Sequence, residues 1–184
     1  EGVEFTVFKG RGIVDSPKTA VVIIDVQHGL FKKAIPLYQA DQLLSNLNRL
    51  IRRARKSGAP VIYMQHQSPK SLPYGSPDWQ LHPKLEPPKG ELVLYKQHGN
   101  AFEETHLQEE LAQRGIRRLV VAGLVTHGCV RATCLAALNM GYQVALVKDG
   151  HSSYNKDAAE LIKEWNAKLS EAGANVEPAQ SVQF

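Results

Sequence analysis

Five short apolar runs rich in Val, Ile and Leu recur along this chain, separated by longer segments of helical periodicity. The runs are 20–24, 60–64, 92–95, 118–122 and 143–147, with a weaker sixth near 174–176. Continuous apolar runs of this length suit strands covered on both faces. Between them, Leu43, Leu44, Leu47, Leu50, Ile51 and Ala54 mark one helical face, with Gly58 as its stop. Phe102, Leu107, Leu111 and Ala112 mark a second face, closed by Gly115. Val130, Thr133, Cys134, Ala137 and Leu138 mark a third, closed by Gly141. Ala158, Leu161, Ile162, Trp165 and Leu169 mark a fourth, closed by Gly173. Strand–helix alternation predicts an α/β domain, a mostly parallel sheet of five to six strands with helices on both sides.

At 184 residues the chain is long enough for one such domain, 1–184. Residues 1–17 read as an N-terminal arm, and Glu1 to Gly12 lacks the apolar core of a signal peptide. One stretch breaks the alternation: Ser68 to Gly90 holds Pro69, Pro73, Pro77, Pro83, Pro87 and Pro88. Irregular loops this long inside a domain are usually functional, which predicts a pocket wall or lid; the alternative is a surface excursion. The net charge of +4 is spread along the chain, giving no basic stripe for nucleic acid. No apolar run reaches the length of a membrane span. The two cysteines, Cys129 and Cys134, are spaced to point to different faces of a helix, so no bridge between them is expected. A reducing cytoplasm is the expected location.

Open parallel sheets gather ligands at the carboxyl ends of their strands. Asp25 closes the first run, His66 follows the second and Lys96 closes the third. Thr126 to Cys129 follow the fourth, and Asp149 to Ser153 the fifth. Cys129 falls where a strand ends near Gly123 and a helix is expected to begin around His127 to Cys129. Unpaired N–H groups there favour a thiolate and can stabilise an oxyanion. The alternative is a small apolar cysteine filling a helix–sheet contact, which is the reading for Cys134. Asp25, expected to be shielded, is a candidate base; the alternative is a structural capping Asp. Lys96 is a candidate charge partner; the alternative is a lysine that snorkels to the surface.

Asp25 in Val22-Ile23-Ile24-Asp25-Val26-Gln27, Lys96 in Leu94-Tyr95-Lys96, and Cys129 in Gly123-Leu124-Val125-Thr126-His127-Gly128-Cys129-Val130 occur in that order. This set resembles the isochorismatase-like cysteine hydrolases from about Lys18 to Asp149. The resemblance implies a Rossmann-like three-layer α/β/α fold. It also implies that Cys129 attacks carbon, Asp25 takes the thiol proton and Lys96 holds the charges. It further implies a cis peptide at Leu124–Val125, with the N–H groups of Val125 and Cys129 forming the oxyanion hole. The segments 63–69, 75–83 and 149–153 are most similar to nicotinamidase-related amidases, including the streptothricin-hydrolase type. That subgroup implies hydrolysis of a C–N bond (amide, lactam or ureide) of a small molecule through a thioester-type intermediate. Alternatives are vinyl-ether hydrolysis of an isochorismate-like substrate, or a non-catalytic binder on the same scaffold. Nicotinamidases place an Asp-x-His pair and a second His after the second strand to bind a metal. Here that stretch reads Gln65-His66-Gln67, without a carboxylate, so neither metal nor cofactor is expected, although His66, His82 and His98 lie nearby. The resemblance also implies a homodimer or homotetramer, while the charge distribution and the short apolar runs point to no nucleic-acid or membrane partner.

Four further residues are candidate pocket linings. Gln27 and Phe31 follow the Asp25 strand and face either substrate or loop. Trp79 either stacks on a planar substrate or anchors its loop. His66 either bonds substrate or is a structural histidine. His127, next to Cys129, ranks below the Asp–Lys arrangement as a partner for the sulfur. Gly10-Arg11-Gly12 precedes the first strand and therefore fails as a dinucleotide loop.

Overall fold

All six apolar runs form strands: β1 (Thr19–Ile24), β2 (Val61–His66), β3 (Leu92–Lys96), β4 (Arg118–Leu124), β5 (Gln143–Ser152) and β6 (Asn175–Glu177). They pair in the order β3-β2-β1-β4-β5-β6, and every pairing is parallel. The structure is a computed structural model that describes residues 16–154 and 156–184. Apart from Ser16 and Pro17, the expected N-terminal arm lies outside the described residues, as does Gly10-Arg11-Gly12. Parallel neighbours need crossovers. Helices α1 (Ala40–Lys56), α2 (Leu107–Gln113), α3 (Arg131–Asn139) and α4 (Ala158–Glu171) make four of them. The fifth, from β2 to β3, is the proline-rich segment, whose prolines lack the N–H a helix interior requires. Among the described residues, no helix is long and apolar enough to cross a membrane.

The two faces of β1 show why its residues are all apolar. Val21 and Ile23 pack in a cluster with the α1 stripe Leu43, Leu47, Leu50 and Ile51. Ala20, Val22 and Ile24 pack in a second cluster with Leu107 and Leu111 of α2, Cys134 and Ala137 of α3, and Leu169 of α4. A strand covered on both sides has no face to leave polar.

Three boundaries differ from expectation. The second helix begins at Leu107, because the Thr105 hydroxyl donates to Ala101 O (2.6 Å) and accepts the Leu107 N–H (3.2 Å). Phe102 thus lies in a turn, its ring stacked on Tyr142. The third helix begins at Arg131, after a separate π-helical turn, Thr126–Val130, interrupted at Gly128. The fifth strand runs on to Ser152, because β4 continues to pair with it: Gly123 faces His151, and Leu124 faces Ser152.

Gly123 is required where it stands. Its φ is +125°, and an added Cβ would lie 2.1 Å from the Ile24 carbonyl oxygen of β1, just before Asp25. Overpacking of this kind costs about 1–3 kcal/mol. The backbone conformation adds about 1–2 kcal/mol for any residue with a Cβ. Gly123→Ala is therefore expected to destabilise the domain by about 2–5 kcal/mol in urea titration. A midpoint unchanged from wild type would show that β1 and β4 do not approach this closely.

The proline-rich segment is pinned along its length. Gln27 Nε2 donates to Trp79 O, Tyr63 Oη donates to Glu86 O, and Asn48 bonds both Lys84 O and Glu86 N. Arg55, half-buried, reaches Glu91 at 2.6 Å, Glu86 at 3.1 Å and Pro87 O at 2.8 Å. Its own Leu72, Trp79 and Leu85 are buried.

Candidate active site

β1 and β4 lie side by side where the chain order reverses, and the ends of both carry candidate residues. Asp25 leaves β1 with φ +51°, a left-handed conformation that Asp tolerates better than most residues. Its N–H still bonds Met64 O of β2 (3.0 Å), so the turn aims the side chain off the strand while the backbone stays anchored. The residue is 2% exposed, and among the described residues Oδ1 has no hydrogen-bond partner.

Lys96 ends β3, two strands from β1, so its backbone lies roughly 9–10 Å away across the sheet. The four-carbon side chain closes that gap beneath the end of β2. It is 1% exposed, and snorkelling to the surface is ruled out. Nζ lies 2.8 Å from Asp25 Oδ2, 3.0 Å from His98 O, 3.2 Å from Cys129 Sγ and 3.2 Å from His66 Nδ1. An ammonium has three N–H groups, so four acceptors compete for three donors. Because the ammonium only donates, His66 Nδ1 accepts, and the ring's hydrogen sits on Nε2. Burial first and Lys96 second hold the His66 pKa below its ordinary value, which keeps the ring neutral.

Cys129 lies in the π-helical turn, which follows a cis peptide bond at Leu124–Val125. Val125 O accepts the N–H groups of Gly128 (3.1 Å) and Val130 (3.3 Å), tightening the turn around the sulfur. The electrostatics at rest favour the thiol, in line with Asp25 as the group that takes its proton. The Cys129 thiol is pushed up to about 12, first by burial and next by the Asp25 carboxylate, with Lys96 offsetting part of this. One buried cation balances one buried anion, and a second anion would be uncompensated. The α-helix begins only at Arg131, beyond the sulfur. The resting site is therefore a neutral thiol beside an Asp25–Lys96 ion pair. Both cysteines are free, and Cys134 is buried in α3.

Asp25, His66 and Cys129 each offer a ligand atom within 4.8 Å of the others. The Lys96 ammonium stands within 3.2 Å of all three and supplies the positive charge there. His82 and His98 are not brought to this group. His82 packs its ring on Phe31 (4.2 Å), and His98 Nε2 pairs with Glu104 (2.9 Å).

The pocket candidates fare differently. Gln27 is 0% exposed and its amide is spent: Nε2 donates to His66 O and Trp79 O, and Oε1 accepts the His66 N–H, all at 2.8 Å. It is a strut between β2 and the proline-rich loop, not a pocket lining. Trp79 is buried at 6%, with Tyr74 and Tyr95 against its ring, and anchors its loop. Phe31 is half-buried against His82, and His66 is the one of the four in contact with Lys96. His127 turns to Ser153 (Nδ1···Oγ, 3.5 Å). The His98 carbonyl was not anticipated as a Lys96 partner, since a main-chain oxygen leaves no mark in sequence.

The fold and site define a class: a Rossmann-like α/β protein holding a cysteine, a lysine and an aspartate together at the carboxyl ends of parallel strands. Residues 19–174 match the model of the isochorismatase domain, and the chain belongs to that family. It is 33% identical over 153 residues to a streptothricin hydrolase of Streptomyces noursei, covering 80% of this chain and 60% of that protein. The chain thus spans little more than half the length of that relative. It is 27% identical to a maleamate amidohydrolase of Pseudomonas putida, covering 82% of this chain and 80% of that one. The solved structure of an isochorismatase from Pseudomonas putida KT2440 superposes with a TM-score of 0.79 at 31% identity, covering 90% of each chain.

Proposed function

We propose that this protein is a cysteine-dependent amidohydrolase that cleaves a C–N bond of a small molecule through a thioester-type intermediate. The observation that carries this is the Lys96 ammonium within hydrogen-bonding distance of both Asp25 Oδ2 and Cys129 Sγ. The names of two relatives, a streptothricin hydrolase and a maleamate amidohydrolase, point to the same class of reaction.

The charges set the order of events. Cys129 rests as a thiol, so its proton moves to Asp25 as sulfur attacks the carbonyl carbon. Lys96 then faces sulfur and carboxyl without an excess buried anion forming. Negative charge passes to the carbonyl oxygen, which the N–H groups of Val125 and Cys129 receive; one such donor is typically worth about 2.7–4 kcal/mol. The C–N bond breaks as Asp25 returns its proton to the departing nitrogen, leaving an acyl group on sulfur. Water attacks the thioester, gives a proton to Asp25 and releases a carboxylic acid, and the proton returns to sulfur. A small-molecule substrate, a cytoplasmic setting and assembly as a homodimer or homotetramer belong to the same proposal.

A panel of primary amides, ureides and lactams, followed by quenching and peptide mass spectrometry, tests it. Any substrate turned over, or its matching aldehyde, is expected to leave an adduct on Cys129 and none on Cys134. Turnover with no adduct at Cys129 from either probe overturns the covalent route.

A further inference from the structure

The π-helical turn that carries Cys129 is held from behind by a buried chain of polar groups. Thr126, 1% exposed, is the first residue of that turn. Its Oγ1 lies 2.8 Å from Nδ1 of His151, which the β4–β5 register sets opposite Gly123. His151 Nε2 lies 2.9 Å from Asn166 Oδ1 on α4, and Asn166 Nδ2 faces Lys148 O at 3.5 Å. Directions follow from donors and acceptors. Asn166 turns its nitrogen to a carbonyl, so its oxygen accepts from Nε2–H. Nδ1 is then bare and accepts the Thr126 hydroxyl. His151 is 3% exposed, and burial lowers its pKa, in keeping with a neutral ring. The outer end of the chain, His151 and Asn166, lines a cavity of about 720 Å³ between α1 and α4.

We propose that His151 is a positioning residue: by accepting the Thr126 hydroxyl it holds the Thr126–Val130 turn so that Cys129 Sγ meets Lys96 and Asp25. This rests on Cys129 as the reactive group. Among the described residues His151 bonds Thr126 and Asn166 and not Asp25, Lys96 or Cys129, so its action is on the geometry of the turn. Misplacing a reacting atom by about 1 Å costs on the order of 10²-fold in rate.

Two replacements separate positioning from packing. His151→Asn keeps a polar atom near Nδ1, where it can accept from Thr126, but leaves a void toward Asn166. His151→Gln fills the space and reaches Asn166, but offers no acceptor at the Nδ1 position. Packing alone makes the Gln variant the better protein. Positioning makes the Asn variant the more reactive one. The readout is carbamidomethylation of Cys129 by iodoacetamide, with buried Cys134 as internal control and thermal melting in parallel. Because Cys129 rests as a thiol, alkylation too needs Asp25 to take its proton as sulfur attacks, so a displaced sulfur reacts more slowly: His151→Gln and Thr126→Val are expected to react about 10-fold or more slowly than wild type, with His151→Asn and Thr126→Ser within about 3-fold. Thr126→Val in the His151→Gln background is expected to add little, since both remove one bond. Rates that follow melting temperature, with Gln above Asn, or equal rates in all variants, overturn the proposal. If the His151 variants do not fold, the Thr126→Val and Thr126→Ser pair decides it alone. Alkylation needs no substrate, so failure of the amidohydrolase reading would leave this result intact.

Discussion

Lys96→Met is expected to abolish hydrolysis and to lower the melting temperature by roughly 6–20 °C. Methionine keeps most of the apolar stem and removes the charge together with its three N–H donors. Asp25, 2% exposed and 2.8 Å from the ammonium, would then be a buried anion with no counter-charge. Breaking a buried pair in this way costs about 3–5 kcal/mol, because the remaining ion keeps its desolvation penalty. Adding Asp25→Asn removes that ion, so the double variant is expected to regain most of the lost stability and none of the activity. Differential scanning calorimetry alongside a substrate assay separates the two effects. A single variant that melts with wild type would show that Lys96 is not what balances Asp25.

Cys129→Ala, in contrast, is expected to reduce turnover to background and change stability by less than about 1 kcal/mol. The contrast comes from counting donors. Lys96 has four acceptors for three N–H groups, and removing sulfur leaves Asp25 Oδ2, His98 O and His66 Nδ1, one for each. The thiol is neutral at rest, so no buried charge is orphaned. Circular dichroism and a melting curve should overlay those of wild type while product formation is lost. Turnover near the wild-type rate would exclude sulfur as the nucleophile.

Much of the fold was legible in the sequence because its determinants are local. A strand covered on both faces must be apolar throughout, and runs such as Val21 to Ile24 say so without reference to any other part of the chain. Helical stripes and their terminal glycines are equally local, as α1 and Gly58 show. The pairing with β4 that extends β5 is made in space and moved that boundary, whereas the Thr105 hydroxyl bonds that delay α2 reach only four residues back and two ahead and leave no periodic mark. Asp25, Lys96 and Cys129 could be singled out because each stands at a strand end beside an apolar run.

What each of those side chains does at rest was decided only in three dimensions. Lys96 reaches across the end of β2 to a residue two strands away, a separation set by sheet order. The Gln27 side chain is occupied by His66 and by the main-chain carbonyl of Trp79, residues 39 and 52 positions away, which turns a candidate pocket residue into a support. A place near a helix start favours the thiolate, yet burial and Asp25 push the Cys129 thiol up, a balance no local pattern shows. The chain from Thr126 through His151 to Asn166 joins the π-helical turn, β5 and α4, and no spacing in the sequence announces it. Residue identity and local pattern determined which elements form and which groups are available for chemistry. Charge state and hydrogen-bond partnership depend on distances of a few ångströms between residues remote in the chain, and only tertiary packing sets those.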